Sequence, residues 1–166
     1  MRSCSYLAAI FAETLVHSST EACDNADFTF QVFFNMKEHT VYVRQRPFLR
    51  TFLERVAEMF EIIVFTASES VYAEKLLDIL DPDRTLIARR AYRESCIFSD
   101  GSYAKDLTIL GVDLARIAII DNSPQVSVYL FFFRLVFLVF PCSISKFCTL
   151  SFTFKKDLGL IFVDYL

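Results

Sequence analysis

The chain of 166 residues is long enough for one core-forming domain, and its formal net charge of −3 supplies no basic field of the kind that neutralising a nucleic-acid backbone requires. Direct nucleic-acid binding is therefore not expected. Five cysteines (Cys4, Cys23, Cys96, Cys142 and Cys148) share no Cys-x-x-Cys spacing and are odd in number, which argues against a secreted disulfide framework and for a reducing compartment, cytosol or nucleus.

From Pro47 onward, Phe48, Leu49, Phe52, Leu53, Val56, Met59 and Phe60 recur at helical spacing between Arg50, Glu54, Arg55 and Glu58, and Pro47 suits the first helical turn. Ile62-Ile63-Val64-Phe65 is a short continuous apolar run, which next to helical patterns reads as a buried parallel strand. A second helical pattern passes through Val71, Ala73, Leu76, Leu77 and Leu80 and is stopped by Asp81-Pro82-Asp83. Cys96-Ile97-Phe98 and Tyr103-Ala104 flank Ser99-Asp100-Gly101-Ser102, and Asp-Gly between apolar segments predicts a tight hairpin turn. Ile117-Ala118-Ile119-Ile120 is a further buried-strand run, ending at Asp121-Asn122-Ser123-Pro124. The alternation predicts an α/β fold with a mainly parallel sheet flanked by helices. Nine of the 19 phenylalanines lie beyond Val126, so the composition divides the chain into a domain over 1–125 and an atypical hydrophobic tail over 126–166.

In open sheets of this type ligands collect beyond the carboxyl ends of the strands. That rule selects Thr66-Ala67-Ser68 after one buried strand and Asp121-Asn122 after another. Taken alone, Thr66 and Ser68 also suit caps of the next helix, and Asp121 to Pro124 an ordinary turn.

Four segments in order, Glu13-Thr14-Leu15-Val16-His17-Ser18, Phe65-Thr66-Ala67-Ser68, Tyr103-Ala104-Lys105-Asp106-Leu107 and Ile120-Asp121-Asn122-Ser123-Pro124, resemble the small phosphatases that act on the RNA polymerase II C-terminal domain. Tyr92-Arg93-Glu94-Ser95-Cys96-Ile97-Phe98 adds to the match, which covers roughly residues 7 to 126. The resemblance implies a haloacid-dehalogenase-like (HAD-like) Rossmannoid fold with a small β-hairpin insertion. It also implies protein phosphoserine/threonine phosphatase chemistry. There an aspartate ending the first strand attacks phosphorus, a second aspartate two residues on protonates the leaving serine, and Mg²⁺ neutralises the phosphate's charge. Carried over, Thr14 matches the motif threonine, Thr66 and Lys105 the phosphate-binding groups, Asp121 and Asn122 the metal side, and Tyr72 and Arg93 the wall of the phosphopeptide groove.

Two departures stand against that pattern. Aligned on Glu13-Thr14, the nucleophile position is Ile10 and the acid position is Ala12, so neither catalytic aspartate is present and Mg²⁺ binding is expected to be weak or absent. Tyr6 to Phe11 keeps the apolar character of the first strand without its chemistry, and Glu13 alternates to the other face of an extended strand. The second departure is the tail, where the family continues with a further strand and helices, and from which the C-terminal part of the fold is expected to be missing. Val126 to Phe140 is nearly all apolar. A membrane span needs about 20 predominantly apolar residues, and Arg134 in the middle costs roughly 2.5–3.5 kcal/mol, so a membrane contact through 126–140 is the lesser option. The sequence thus predicts a catalytically dead phosphatase homology domain whose partner is a phosphoprotein or phosphopeptide, nuclear or cytoplasmic. The alternatives are a non-catalytic phosphopeptide-binding module, or a presequence-binding relative of the mitochondrial inner-membrane import receptor in the same superfamily. Nothing in the sequence fixes an oligomeric state.

Overall fold

The structure, a computed structural model, describes residues 5–10, 14–99, 101–113, 116–121, 136–139, 150–155 and 160–165. The elements in order are β1 (Ser5–Ile10), β2 (Val16–Ser19), β3 (Phe28–Phe34), β4 (Lys37–Gln45), α1 (Leu49–Met59), β5 (Phe60–Phe65), α2 (Ser70–Leu80), β6 (Ile87–Ala91), β7 (Ile97–Ser99), β8 (Ser102–Ala104), β9 (Ile117–Asp121), β10 (Val136–Val139), β11 (Leu150–Lys155) and β12 (Leu160–Tyr165). Five strands in the order β10-β9-β1-β5-β6 form one sheet in which every pairing is parallel.

The continuous apolar runs belong to strands buried on both faces. Along β5, Ile62 and Val64 enter one core cluster while Ile63 and Phe65 enter the other, the period-2 alternation of a pleated strand. The first cluster joins Leu53 and Val56 of α1 and Leu76 and Leu77 of α2 to Val32, Val41 and Val43 of the smaller sheet. The second is thinner, with Leu107 and Leu110 set against Ile63, Phe65, Ile117 and Ile119.

Both predicted helices form, with one shift at the start of α1. Phe48 takes a left-handed conformation (φ 60°, ψ 20°) and is 62% exposed, so Pro47 precedes the helix instead of opening it. Leu49, Phe52, Leu53 and Val56 are the buried face, and Phe48 and Met59 lie outside it. At the end of α2 the stop signal is more than a turn. Asp81 is fully buried, and its carboxylate accepts from the backbone N–H groups of Thr85, Leu86 and Ile87 at 3.1, 3.1 and 2.8 Å, which fixes the entry of β6.

A three-stranded antiparallel sheet, β2-β4-β3, escapes the sequence reading. Its hairpin turns at Asn35-Met36, both with positive φ (50° and 61°), the geometry of a two-residue turn that matches strand twist. The sheet packs on α2 through the stacked rings of Phe30 and Tyr72, 5.8 Å apart, and through Lys75 Nζ, which donates to the Gln31 carbonyl at 3.0 Å. The predicted small hairpin is β7–β8, with Gly101 in the left-handed region (φ 77°) at its turn.

The tail takes part in the sheet. β10 extends it beyond β9 in register from Val136 opposite Ala118 to Val139 opposite Asp121. β11 and β12 pair antiparallel. Phe131 to Phe133 lie outside the described residues.

Candidate functional site

Pairing registers bring the predicted strand ends together. Ile10, the last residue of β1, lies opposite Phe65, and Ala9 lies opposite Ile120. Position 10 therefore stands in the central strand at the carboxyl edge of the sheet, between the strand that leads into Thr66 and the strand that ends at Asp121. Ala12, Glu13 and Asn122 lie outside the described residues. Thr14 is buried, at the head of the segment that places Leu15 and Val16 in the core.

Thr66 is 2% exposed, and its backbone N–H donates to the Ala91 carbonyl at 2.9 Å, which ties the end of β5 to the end of β6. Its Oγ1 accepts from the Ser68 N–H at 3.0 Å. That bond uses a lone pair and leaves the hydroxyl hydrogen to be aimed at an anion. Thr66 and Ser68 do not cap α2. The cap residue is Glu69, with no side-chain cap bond, and Glu94 reaches across from the segment after β6 to accept from Ser70 N–H (3.4 Å) and Ser70 Oγ (2.7 Å). The bond from Ser70 is the largest reason that the Glu94 carboxyl is held below the usual carboxylate range.

Cys96 links Lys105 to this neighbourhood. Its Sγ lies 3.8 Å from the carbonyl oxygens of Thr66 and Tyr92, either of which can accept its single proton. Burial pushes the thiol up, while the charges of Lys105 and Arg93 pull it down. The Thr66 backbone carbonyl and the Lys105 charge thus both act on this thiol, from different loops.

Arg93 is the other organiser. Its Nε donates to the Ala67 carbonyl at 2.7 Å, its Nη1 to Glu69 Oε1 at 2.7 Å, and its guanidinium carbon lies 4.9 Å from the centre of the Tyr103 ring. The backbone N–H of Arg93 also donates to the Ser68 carbonyl at 3.0 Å. Tyr72 Oη and Ser18 Oγ share a hydrogen bond of 2.7 Å. Burial, the larger effect, raises the Tyr72 phenol above its ordinary value, and the bond to Ser18 opposes it. Arg93 and Tyr72 line one groove of about 450 Å³ between the antiparallel sheet and the start of α2, together with Ser18, His39, Ser68 and Glu69.

Sequence reading found Tyr72 and Arg93 but passed over Glu69 and Glu94. The signals were adjacent, since Glu69 follows Thr66-Ala67-Ser68 and Glu94 follows Arg93. What could not be read is that a 24-residue separation closes into contact in both pairs.

For a divalent cation the donor chemistry is short. Mg²⁺ requires a near-octahedral set of oxygens, usually including one or two carboxylates. Ile10 and Ala12 offer no side-chain oxygen, and among the described residues no group of three or more His, Cys, Asp or Glu could hold a metal ion. Among the described residues, with Ile10 and Ala12 lacking carboxylates, the donor set falls short of what Mg²⁺ requires.

A parallel sheet with motif residues gathered at its carboxyl edge, a hairpin insertion after β6 and a groove beside α2 define the haloacid-dehalogenase-like class of α/β domains. A family model described as NLI interacting factor-like phosphatase matches residues 12–129, and the chain belongs to that family. The match begins two residues after Ile10. The chain is 53% identical over 113 residues to the CTD small phosphatase-like protein 2 of Dictyostelium discoideum, covering 68% of this chain and 20% of that protein. It is 48% identical over 117 residues to the human carboxy-terminal domain RNA polymerase II polypeptide A small phosphatase 1, covering 70% and 44%. It therefore spans between a fifth and less than half of these relatives' lengths. Among solved structures it is similar to a variant of fission yeast RNA polymerase II CTD phosphatase Fcp1 bound to beryllium fluoride, with a TM-score of 0.63 at 21% identity over 74% of this chain and 38% of that one. That likeness concerns the fold.

Proposed function

We propose that this chain is a phosphatase homology domain that binds phosphoserine or phosphothreonine peptides without hydrolysing them. One observation carries the reading: Ile10 closes the central strand at the carboxyl edge, in register with Phe65 and flanked by the strand ending at Asp121. A nucleophile for phosphorus belongs there, and an isoleucine has no lone pair to supply. Ala12 in turn cannot protonate a departing serine oxygen, and a serine alkoxide is a poor leaving group without that proton.

Recognition does not need those two groups. The Thr66 hydroxyl donates to a phosphate oxygen, Lys105 balances its charge, and the groove containing Tyr72 and Arg93 receives the flanking peptide. Because the donor set is short, Mg²⁺ contributes little, and we propose a nuclear or cytoplasmic setting in line with the relatives. Among the described residues no helix is long and apolar enough to cross a membrane.

The test is hydrolysis of p-nitrophenyl phosphate with and without Mg²⁺. The expected outcome is turnover no greater than in buffer. Turnover that disappears in Lys105→Ala would refute the proposal, because a contaminating phosphatase would not respond to that change.

A further inference from the structure

We infer that Glu69 sets the specificity of the groove, selecting phosphopeptides that carry a basic residue beside the phosphorylated side chain and discriminating against acidic neighbours. The inference rests on the phosphopeptide-binding reading above and adds the class of peptide.

Glu69 and Arg93 are the two formally charged residues of the groove wall, and they face one another at 2.7 Å with their side chains 33% and 36% exposed. Paired in this way the two charges give the groove no net charge, so neither exerts much long-range pull and the discrimination is a contact effect. Two of the five guanidinium N–H donors are committed, one to Ala67 and one to Glu69, which leaves three for a phosphate oxygen. The carboxylate accepts through two oxygens, and Oε1 is the one that meets Arg93. On this inference the second oxygen serves a lysine or arginine of the peptide, while a glutamate in the same place is repelled.

The helix does not explain the presence of Glu69. It occupies the cap position of α2 and its backbone carbonyl accepts from Tyr72 and Ala73, but its side chain makes no cap bond, and Glu94 satisfies the first backbone N–H and hydroxyl of that helix. Nor is Glu69 the sole anchor of Arg93, because Ala67 and the Tyr103 ring hold the same guanidinium. The carboxylate is therefore left facing the groove.

The experiment uses the full chain and three labelled phosphoserine peptides that differ only in the residue next to phosphoserine, Lys, Ala or Glu, titrated by fluorescence anisotropy at low and high salt. The wild-type chain is expected to bind the Lys peptide about fivefold more tightly than the Glu peptide, the sum of one partly exposed attraction and one repulsion, with the gap narrowing in salt. Glu69→Gln should level the series, chiefly by improving the Glu peptide, and Glu69→Asp, which keeps the charge, should retain the preference. An unchanged Lys-to-Glu ratio in Glu69→Gln would overturn the inference and leave phosphopeptide binding standing. Absence of phosphate-dependent binding by every peptide to the wild type would overturn both.

Discussion

The groove beside α2 and the carboxyl edge of the parallel sheet lie at two ends of the same short loop, Thr66 to Glu69, yet they differ in what the chain has kept. The groove has its walls, with Tyr72 bonded to Ser18 and Arg93 held by Ala67, Glu69 and Tyr103. The strand edge has its backbone, since β1 pairs with β5 along its length and with β9 from Tyr6 to Ala9, but it ends in an isoleucine. Strand pairing is made by main-chain groups and tolerates any apolar side chain, whereas phosphoryl transfer depends on the identity of particular side-chain groups. A frame can therefore survive where its chemistry does not.

The largest effect is expected from putting those groups back. Ile10→Asp with Ala12→Asp should raise Mg²⁺-dependent hydrolysis of a phosphoserine peptide by about three orders of magnitude over the unaltered chain, measured by phosphate release, because nucleophile and acid act as a unit. No gain in a folded double variant would mean that Thr66, Lys105, Asp121 and Asn122 are not assembled around position 10. Next comes Asp81→Ala, which strips the partner from three backbone N–H groups and should cost about 3 kcal/mol of stability by denaturant unfolding. It strikes both regions together, since β6 also holds Thr66 through Ala91, and an effect below about 1 kcal/mol would show that the loop after α2 is satisfied by other means.

Arg93→Ala should separate the regions, weakening phosphopeptide binding about tenfold with little change in melting temperature. Equal affinity in that variant would remove Arg93 from the groove's function. The smallest effect concerns Glu94. Its native carboxyl titrates below the ordinary value of 4.5, so its bond to Ser70 stabilises the fold above that value and the contribution is lost as pH falls through the native one. Because Glu94 is exposed, Glu94→Gln should lower the melting temperature slightly at neutral pH, and the difference from wild type should close in acid. A difference that persisted at pH 2 would contradict the assignment.

The sequence made the parallel sheet legible because burial on both faces demands continuous runs such as Ile62 to Phe65, and the hairpin legible because Asp-Gly has few other uses. The antiparallel sheet was harder to see. Phe28, Phe30, Val32 and Phe34 do alternate, but the turn between β3 and β4 is Asn35-Met36, which lacks the glycine that usually announces such a turn. Asp81 was visible as a helix stop and not as a buried carboxylate, because its three partners exist only once the chain has reversed. Arg93 and Tyr72 were placed on the groove by resemblance to a family, and the geometry adds what the motif could not contain, namely that Arg93 arrives already paired with Glu69.

The most direct test of binding without turnover is a single-turnover experiment with a phosphoserine peptide and the full chain in excess, with Mg²⁺ present. Anisotropy would report the complex, and mass spectrometry the phosphorylation state after prolonged incubation. The account predicts a peptide that is bound and still fully phosphorylated. Dephosphorylated peptide, formed by the wild-type chain and not by Lys105→Ala, would contradict it.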